Sequence, residues 1–251
     1  MAKVIILGSA FSIPDIAHEN THMVVIGKEK TVMIDCAGSP IPRLQRAAIP
    51  PEQVTDLILT HFHPDHVSGV PTLLMDMWLM GRKAPLDIYG LHHTLDRIEK
   101  LMGFYEWETW PNFFPVVFHR LPAEEMTQVL DARDMTIYSS PVKHWVPTIG
   151  VRIEFKNPNK VMAYSCDTEP CPQLVRLAQK SDILIHEATG LSEGHSSAGQ
   201  AGETGTQAGV KKLYLIHYPS GNIDPQGLID EARATFSGPI SLATDFMMID
   251  I

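Results

Sequence analysis

Residues 60–69 read THFHPDHVSG and place three histidines and an aspartate within six positions, namely His61, His63, Asp65 and His66. Side-chain packing gains nothing from this crowding, because each of these groups would need its own polar partner if it were buried. Imidazole and carboxylate are ligands that zinc, manganese and iron accept. The stretch therefore predicts a metal site. Because one ion can hardly use all four groups from so short a loop, we expect two adjacent metals.

The sequence on either side predicts where this cluster lies. Residues 55–60 form an apolar run of strand length that leads directly into it. Apolar residues between 67 and 80 then recur at helical spacing. The cluster is therefore predicted to lie on a loop between a strand and a helix. His61 and His63 are two positions apart, so they face the same way in an extended backbone.

Three further candidate ligands follow apolar strands later in the chain. His144 comes after a predicted strand, Asp167 ends the stretch VMAYSCD, and His217 follows LYLI. Strand ends are where the remaining ligands of two metals can come from. A carboxylate has two oxygens and can bridge two cations, so we predict that Asp167 is shared by both metals.

The remaining pattern predicts an α/β protein. Strands are predicted at residues 3–7, 22–26, 31–35, 55–60, 86–89, 135–139, 150–155, 161–165, 182–186 and 212–217. Helices are predicted at residues 42–48, 67–80, 94–102 and 172–180. Strands outnumber helices, and most helices follow a strand. Since no linker rich in Pro, Ser or charge interrupts the chain, we expect a single domain over residues 1–251.

Composition limits the classes of partner. The 251 residues carry a net charge of −9, with a pI of about 5.7, which argues against tight nonspecific binding to nucleic acid. It does not exclude such binding, because bound divalent cations would change the local field. Three cysteines do not make a disulfide framework. The apolar stretch at residues 4–7 is too short for a signal peptide and no window approaches a membrane span, so we expect a cytoplasmic location without a membrane partner.

In the order and spacing of these ligands the chain resembles the metallo-β-lactamase superfamily. Residues 33–36, Met-Ile-Asp-Cys, are similar to the strand that precedes the first helix in that family. The resemblance covers nearly the whole chain and implies a four-layer αβ/βα sandwich with the metals at one edge. It also implies the two ligand sets. One metal would take His61, His63, His144 and Asp167, and the other Asp65, His66, Asp167 and His217.

A second stretch resembles the ribonuclease Z branch of that superfamily. Residues 186–189, HEAT, and 195–201, HSSAGQA, carry this resemblance, which implies that His195 protonates the leaving group. Glu187 could orient His195, with a surface carboxylate as the alternative. Ser196 or Ser197 could cap a following helix. Glycines recur at about one helical turn from residue 199 to 209, which indicates close approach of that helix to the sheet, although composition slightly favours a flexible loop.

The chain departs from the ribonuclease Z pattern in two places. Cys166 stands where a glycine usually precedes the bridging aspartate. His144 and Asp167 are only 23 positions apart (167 − 144), an interval in which enzymes that cut tRNA precursors usually carry a long basic arm. We therefore predict a phosphodiesterase for small, cyclic or nucleotide phosphodiesters, with tRNA 3′ processing as the alternative.

The predicted mechanism uses a hydroxide that bridges two divalent ions, zinc by preference with manganese or iron as alternatives. His195 would be the general acid and Asp65 would orient the nucleophile. His93 and Ser196 are predicted to contact the substrate. His93 follows a strand and lies near a helix start, where phosphate can bind.

Other functions fit the same ligands less well. Lactone and thioester hydrolysis remain open, but glyoxalase II relatives usually append a helical segment, and 34 residues (251 − 217) follow His217. A redox di-iron site usually has Glu at the position of His63. Non-catalytic scaffold members typically lose ligands, and all seven are present here. Family members often dimerise, so a homodimer is expected. The aromatic run at residues 104–118 could be a dimer contact, a substrate lip or core packing.

Overall fold

The computed structural model describes residues 2–221 and 224–251. Its strands are Lys3–Gly8 (β1), His22–Ile26 (β2), Thr31–Ile34 (β3), Asp56–Ile58 (β4), Leu86–Leu91 (β5), Val116–Leu121 (β6), Thr127–Asp131 (β7), Met135–Val142 (β8), Thr148–Lys156 (β9), Asn159–Tyr164 (β10), Ile183–Glu187 (β11), Lys212–Ile216 (β12), Ile240–Leu242 (β13) and Met248–Asp250 (β14). Its α-helices are Pro40–Arg46 (α1), Pro64–Val67 (α2), Val70–Leu79 (α3), His92–Phe104 (α4), Pro172–Leu177 (α5), Ala198–Ala208 (α6) and Pro225–Arg233 (α7).

The strands form two seven-stranded sheets with matching internal organisation. The first has the order β14-β1-β2-β3-β4-β5-β6 and the second the order β13-β12-β11-β10-β9-β8-β7. In the first sheet β3 to β6 are parallel to one another. In the second, β10 to β13 are parallel. The carboxyl ends of these parallel strands open toward loops, which is where ligands bind in such sheets.

Alternation along each strand divides the core into layers. Val4 and Ile6 of β1 point into a central core that both sheets share, while Ile5 and Leu7 point to the outer face. Helices α1, α3 and α4 cover that outer face of the first sheet, and α6 and α7 cover the second. Period-two burial on both faces is what a sheet between two layers requires. The predicted four-layer αβ/βα sandwich is confirmed.

The single domain predicted for residues 1–251 stays a prediction, and the core that both sheets share supports it. Met1, Asn222 and Ile223, which that prediction includes, lie outside the described residues. Within residues 2–221 and 224–251, none of the helices combines the length and the apolar character needed to cross a membrane.

The helix predicted at residues 67–80 is present as α3, which begins at Val70, and a short helix that was not predicted, α2, precedes it and ends at Val67. Asp65 and His66 therefore lie within α2 and not on a loop. Pro64 is the first residue of α2, a position where its missing N–H costs nothing, so this proline starts a helix. Strands β6, β7, β13 and β14 and helix α7 were not predicted from the sequence.

The glycine-rich stretch is a helix and not the flexible loop that composition favours. Ser197 caps α6 by accepting a hydrogen bond from the Gln200 backbone N–H, and the Gln200 side chain accepts one from the Ser197 N–H. This reciprocal capping box stabilises the first turn. The helix also approaches the sheet, as expected, because Ala201 and Ala208 share a buried cluster with residues of β11 and β12. The open side of Gly202 faces the Ala232 carbonyl of α7.

We expect Gly202→Ala to lower the free energy of unfolding by about 1–3 kcal/mol, since a Cβ at this position would lie 2.5 Å from the Ala232 carbonyl oxygen and would also overlap the Thr235 hydroxyl. Urea unfolding followed by circular dichroism measures the change. Gly103→Ala in α4 is the matched control, because a Cβ there meets nothing within 4 Å. That substitution should be neutral or stabilise by about 0.5–1 kcal/mol. Equal effects of the two changes would contradict the packing argument.

Candidate metal centre

Seven histidine and aspartate side chains from both sheets meet at one edge of the sandwich. His61 and His63 lie on the extended segment between β4 and α2, and Asp65 and His66 on α2. His144 lies in the short loop between β8 and β9, Asp167 follows β10, and His217 follows β12. All seven predicted ligands are therefore brought together, although they span more than 150 positions of sequence (217 − 61).

The first group consists of three imidazoles and one carboxylate. His61 Nε2 lies 3.0 Å from His63 Nδ1, and His63 Nδ1 lies 3.2 Å from His144 Nε2. Asp167 Oδ2 is 3.9 Å from His61 Nε2 and 4.0 Å from His144 Nε2. Nitrogens around one tetrahedral ion at about 2.0–2.1 Å would be separated by about 3.3 Å. The spacing of the first group is close to that value.

The second group shares Asp167 with the first. His66 Nε2 lies 3.6 Å from Asp65 Oδ2 and 3.4 Å from Asp167 Oδ1. His217 Nε2 lies 3.4 Å from Asp65 Oδ2 and 3.5 Å from Asp167 Oδ2. Asp167 Oδ2 thus faces imidazoles of both groups and Oδ1 faces His66, so the carboxylate lies between the two groups as a bridging ligand would.

Hydrogen bonds around Asp35 fix two of these imidazoles. The Thr60 backbone N–H and hydroxyl both donate to the Asp35 carboxylate. Since the Thr60 hydroxyl hydrogen is used in this way, its oxygen accepts from His61 Nδ1 at 3.1 Å. His66 Nδ1 donates to Asp35 Oδ2 at 2.8 Å. Both rings therefore carry their hydrogen on Nδ1, which leaves the lone pair of Nε2 pointing into the site.

The same arrangement holds on the second sheet. His144 Nδ1 donates to the Gly194 carbonyl at 2.6 Å. The Thr189 hydroxyl donates to the His217 carbonyl and accepts from His217 Nδ1, in both cases at 2.9 Å. Outer partners of this kind orient metal-binding histidines. Four of the five imidazoles are thus held with Nε2 inward, and His63 is the exception, since it presents Nδ1.

Two buried atoms at the centre have no hydrogen-bond partner among the described residues. They are His66 Nε2 and Asp167 Oδ1, which are both fully enclosed and face each other at 3.4 Å. Buried polar atoms without partners are rare, because leaving them unsatisfied costs free energy. Divalent cations bound by the two groups would satisfy both atoms. The side chains present therefore fit the metal ions that the sequence predicts.

Burial and neighbouring charges shift the pKa values of the two ligand groups in different ways. Burial lowers the pKa of His61 well below its ordinary value, and it also lowers the pKa of His63 and His144. These imidazoles are neutral near pH 7 and keep the lone pairs that a metal needs. Burial lowers the pKa of His66, but the charges of Asp167 and Asp35 and their hydrogen bonds raise it well above its ordinary value. At Asp167 burial opposes the ionised form, but His217 and His66 hold the pKa of this carboxyl well below its usual range.

His195 lies at the mouth of the site between the two groups. Its ring centroid is 5.0 Å from that of His144 and 5.9 Å from that of His217. Its Nδ1 donates to Glu187 Oε1 at 3.0 Å. Glu187 is fully buried and also accepts from the Thr168 backbone N–H at 2.7 Å, so it is not the surface carboxylate that the sequence allowed.

The Glu187 contact changes the pKa of His195. Burial lowers it, but the hydrogen bond and the negative charge of Glu187, together with the charges of Asp167 and Asp65, raise it above its ordinary value. A histidine held in this way can carry a proton at neutral pH beside a site where a leaving group would form.

Three residues at strand ends of this site have left-handed backbone conformations. Asp35 follows β3 with φ 59°, Cys166 follows β10 with φ 54°, and His217 follows β12 with φ 52°. Non-glycine residues seldom adopt positive φ, and such positions concentrate at functional sites. At each of these three strand ends the chain turns away from the sheet at, or next to, a residue of the site.

Two predicted substrate contacts lie outside this constellation. Ser196 is fully buried, and its hydroxyl donates to the Thr168 carbonyl at 2.6 Å, so it links two segments of the chain and is corrected as a substrate contact. His93 is the second residue of α4, which follows the end of β5, on the same edge of the sheet as the site. No hydrogen bond joins it to the seven ligands in the described part of the chain, and its contact with substrate stays a prediction.

Three residues that hydrogen-bond to the ligand imidazoles were not predicted from the sequence, namely Asp35, Thr60 and Thr189. Asp35 had a usable signal, because it is a carboxylate directly after an apolar strand, as Asp167 is. Thr60 and Thr189 had none, since their roles depend on which ring nitrogen lies nearby. Trp145, next to His144, was also not singled out.

The fold and this site define a class of protein, and comparison with known sequences agrees. Residues 30–218 match the beta-lactamase superfamily domain. The chain belongs to this superfamily and is a metal-dependent hydrolase.

Within the superfamily the chain is similar to proteins named ribonuclease Z. It is 26% identical to that of Porphyromonas gingivalis over 305 aligned positions, covering 99% of each chain. It is also 26% identical to that of Methanothermobacter thermautotrophicus over 309 positions, covering 100% of this chain and 97% of the relative. The ribonuclease Z-like character predicted from the sequence is confirmed.

Solved structures show that the fold is shared. The metallo-β-lactamase fold protein YhfI from Bacillus subtilis superposes with a TM-score of 0.84 at 22% identity, covering 99% of this chain and 98% of that one. The short form of human tRNase Z superposes with a TM-score of 0.81 at 23% identity, covering 99% of both chains. A diphosphatase of the PhnP family gives 0.76 at 19% identity, covering 100% of this chain and 98% of that one.

Proposed function

We propose that this chain hydrolyses phosphodiester bonds at two divalent metal ions, with His195 as the general acid. The observation that carries the proposal is the buried Glu187–His195 pair, because it places a proton donor between two ligand groups that share Asp167. Hydrolysis of a thioester has less need of this device, since the departing thiolate is a far weaker base than an alkoxide.

Each side chain has a proposed part in the reaction. Divalent ions held by the two ligand groups would lower the pKa of a bound water and offset the negative charge of the phosphoryl group. Asp167 holds the two ligand groups together and Asp65 orients the nucleophile at the second group. His195 donates its proton to the departing oxygen, and Glu187 fixes the ring so that Nε2 is free for this transfer. Zinc is the first candidate metal, with manganese and iron as alternatives for the same nitrogen and oxygen ligands.

The relatives favour RNA as the substrate, more strongly than they favour the small phosphodiesters predicted from the sequence. The full-length relatives are named ribonuclease Z, and one structural neighbour is a tRNase Z. We therefore place the 3′ trailer of a tRNA precursor first among the substrates to be tested.

A small phosphodiester is the second candidate, because one observation favours it. The interval from His144 to Asp167 is occupied by β9 and β10, which pair from Lys156 and Asn159 onward and leave no room for an arm. The alignment with the Porphyromonas relative exceeds the length of this chain by 54 positions (305 − 251), so that relative has segments without a counterpart here. The net charge of −9 also gives little long-range attraction for RNA.

One experiment ranks the two substrates. Protein reconstituted separately with zinc and with manganese is tested on a precursor tRNA, on cyclic nucleotides and on bis(p-nitrophenyl) phosphate, with metal-free protein as the control. We expect metal-dependent cleavage of the precursor at its 3′ trailer. A kcat/KM at least tenfold higher on a small phosphodiester would assign the second candidate. Failure on every phosphodiester by protein shown to hold two metals would overturn the proposal, and lactones and thioesters would follow.

The other expectations remain predictions. The homodimer and the cytoplasmic location stay predictions from the sequence. Of the aromatic run at residues 104–118, Trp107, Trp110 and Phe113 pack against the outer core of the first sheet, whereas Phe104 and Tyr105 are exposed. Core packing thus explains part of this run.

A further inference from the structure

Trp145 is an exposed indole at the mouth of the candidate site. It lies in the short loop between β8 and β9, directly after His144, and its side chain is 59% exposed. A large aromatic side chain left this open is unusual when it lies next to buried ligands. Its position on the site, and not in the core, indicates a contact with something other than this chain.

The surrounding residues hold the indole in one orientation. Its ring stacks on His144 with a centroid distance of 5.3 Å and an interplanar angle of 21°. It meets the rings of His195 at 5.4 Å and His63 at 6.1 Å, both edge to face. Gly194 has φ +78°, and a Cβ there would come within 2.7 Å of Trp145 Nε1. The loop can therefore pack against the indole only because residue 194 is glycine.

The contact with His195 identifies which part of a substrate lies near Trp145. The general acid must reach the departing oxygen, so the group attached to that oxygen occupies the space beside His195. A cavity of about 720 Å³ adjoins the same loop and is lined by Lys143, His144, Trp145, Pro147, Pro170 and Pro172 among others. This volume is within the range of pockets that hold small molecules.

We propose that Trp145 is a stacking platform for the base of the nucleoside that carries the departing oxygen, an inference that rests on the proposed function. Every base has a flat π face, so the platform would accept a base without selecting its identity. Loss of one base–aromatic stack corresponds to about a 5- to 150-fold change. The alternative is that Trp145 only positions His144 and His195, in which case its loss would slow every substrate equally.

A set of dinucleotides separates these two roles. One dinucleotide has both bases, and two analogues each lack one base but keep both sugars and the phosphate, so the departing oxygen is chemically unchanged. Identification of the released alcohol shows which nucleoside departs. We expect the wild-type metal-loaded protein to lose about 5- to 150-fold in kcat/KM only when the base of the departing nucleoside is missing. The kcat/KM of Trp145→Ala on the complete dinucleotide should be lower than that of the wild type by the same factor. It should not fall further on the analogue that lacks the base of the departing nucleoside.

Two control variants make the result specific. Trp145→Phe retains an aromatic face and should keep most of the preference for the complete dinucleotide. Met248→Ala removes an apolar side chain that is 63% exposed in β14 and should behave as wild type. Equal loss on all three dinucleotides in Trp145→Ala would overturn the proposal in favour of a positioning role. Equal kcat/KM values of the wild-type protein on all three dinucleotides would also overturn the proposal.

A binding measurement keeps this inference separate from the proposed function. If the metal-loaded protein does not turn over the dinucleotides, they serve as ligands for isothermal titration calorimetry. Tighter wild-type binding of the complete dinucleotide, with a preference that disappears in Trp145→Ala, would support the stacking platform even though phosphodiester hydrolysis had failed. Equal dissociation constants for all three ligands in the wild type would contradict the platform whatever the catalytic result.

Discussion

His195→Ala is expected to lower kcat by about 10²–10⁴-fold on a phosphodiester whose leaving group is an alkoxide. The reason is that an alkoxide is a strong base and departs slowly without a proton, which His195 supplies from its position between the two ligand groups. Steady-state kinetics on a nucleotide phosphodiester measures the loss. Metal content and KM should change little, because the His195 side chain is not one of the seven predicted ligands.

The same variant provides its own control when the leaving group is changed. The p-nitrophenolate released from bis(p-nitrophenyl) phosphate is a far weaker base than an alkoxide and needs no proton to depart. His195→Ala should therefore lose much less activity on this substrate. Glu187→Gln keeps the side-chain volume but removes the charge that raises the pKa of His195, so we expect a smaller loss in the same direction. Equal losses of His195→Ala on both substrates would show that His195 is not the general acid.

Asp167→Asn is expected to reduce bound metal below two equivalents and to lower activity by more than about 100-fold. Removing only an outer partner of a metal ligand lowers metal affinity or activity by about 10- to 100-fold, and the loss of a ligand itself should exceed that range. Among residues 2–221 and 224–251, Asp167 is the one carboxylate within 4.0 Å of imidazole nitrogens of both groups. Asparagine keeps the shape but offers one neutral oxygen in place of a charged pair. Metal analysis after dialysis, together with the rate of phosphodiester hydrolysis, measures both effects.

Asp230→Asn is the matched control for this charge change. Asp230 is exposed on α7 and pairs with Arg233 of the same helix, so its substitution should leave metal content and rate unchanged. Circular dichroism shows whether the Asp167→Asn protein remains folded. Retention of two equivalents and of the full rate by Asp167→Asn would remove Asp167 from the site as a bridging ligand.

The ligands could be predicted from sequence because their chemistry is local. His61, His63, Asp65 and His66 are crowded within one short stretch, and no packing argument explains such crowding. Asp167 and His217 follow apolar strands, and strand ends meet at one edge of a sheet. The fold class could be predicted from the spacing of apolar residues, since strands and helices differ in the period at which these residues recur.

Other features depended on contacts that a sequence does not show. Strand β6 overlaps the aromatic run, and only the fold shows that Val116 and Phe118 face the outer core of the first sheet. Helix α6 is rich in glycine and has low intrinsic propensity, but its capping box and its packing against α7 override that propensity. Glu187 reads as an ordinary acidic residue until the fold buries it beside His195.

The left-handed conformation of Cys166 has a consequence for which mutations this protein can tolerate. A residue without a Cβ would relieve the unfavourable φ, whereas a β-branched residue would increase the strain, so position 166 accepts change in one direction only. The cysteine side chain also lies 3.5 Å from His61 Nδ1, so a glycine would gain backbone freedom and lose a packing neighbour of a predicted ligand. We therefore expect position 166 to tolerate only a few small residues. A change that relieves the backbone strain at the strand end would also remove a contact that holds His61 in place.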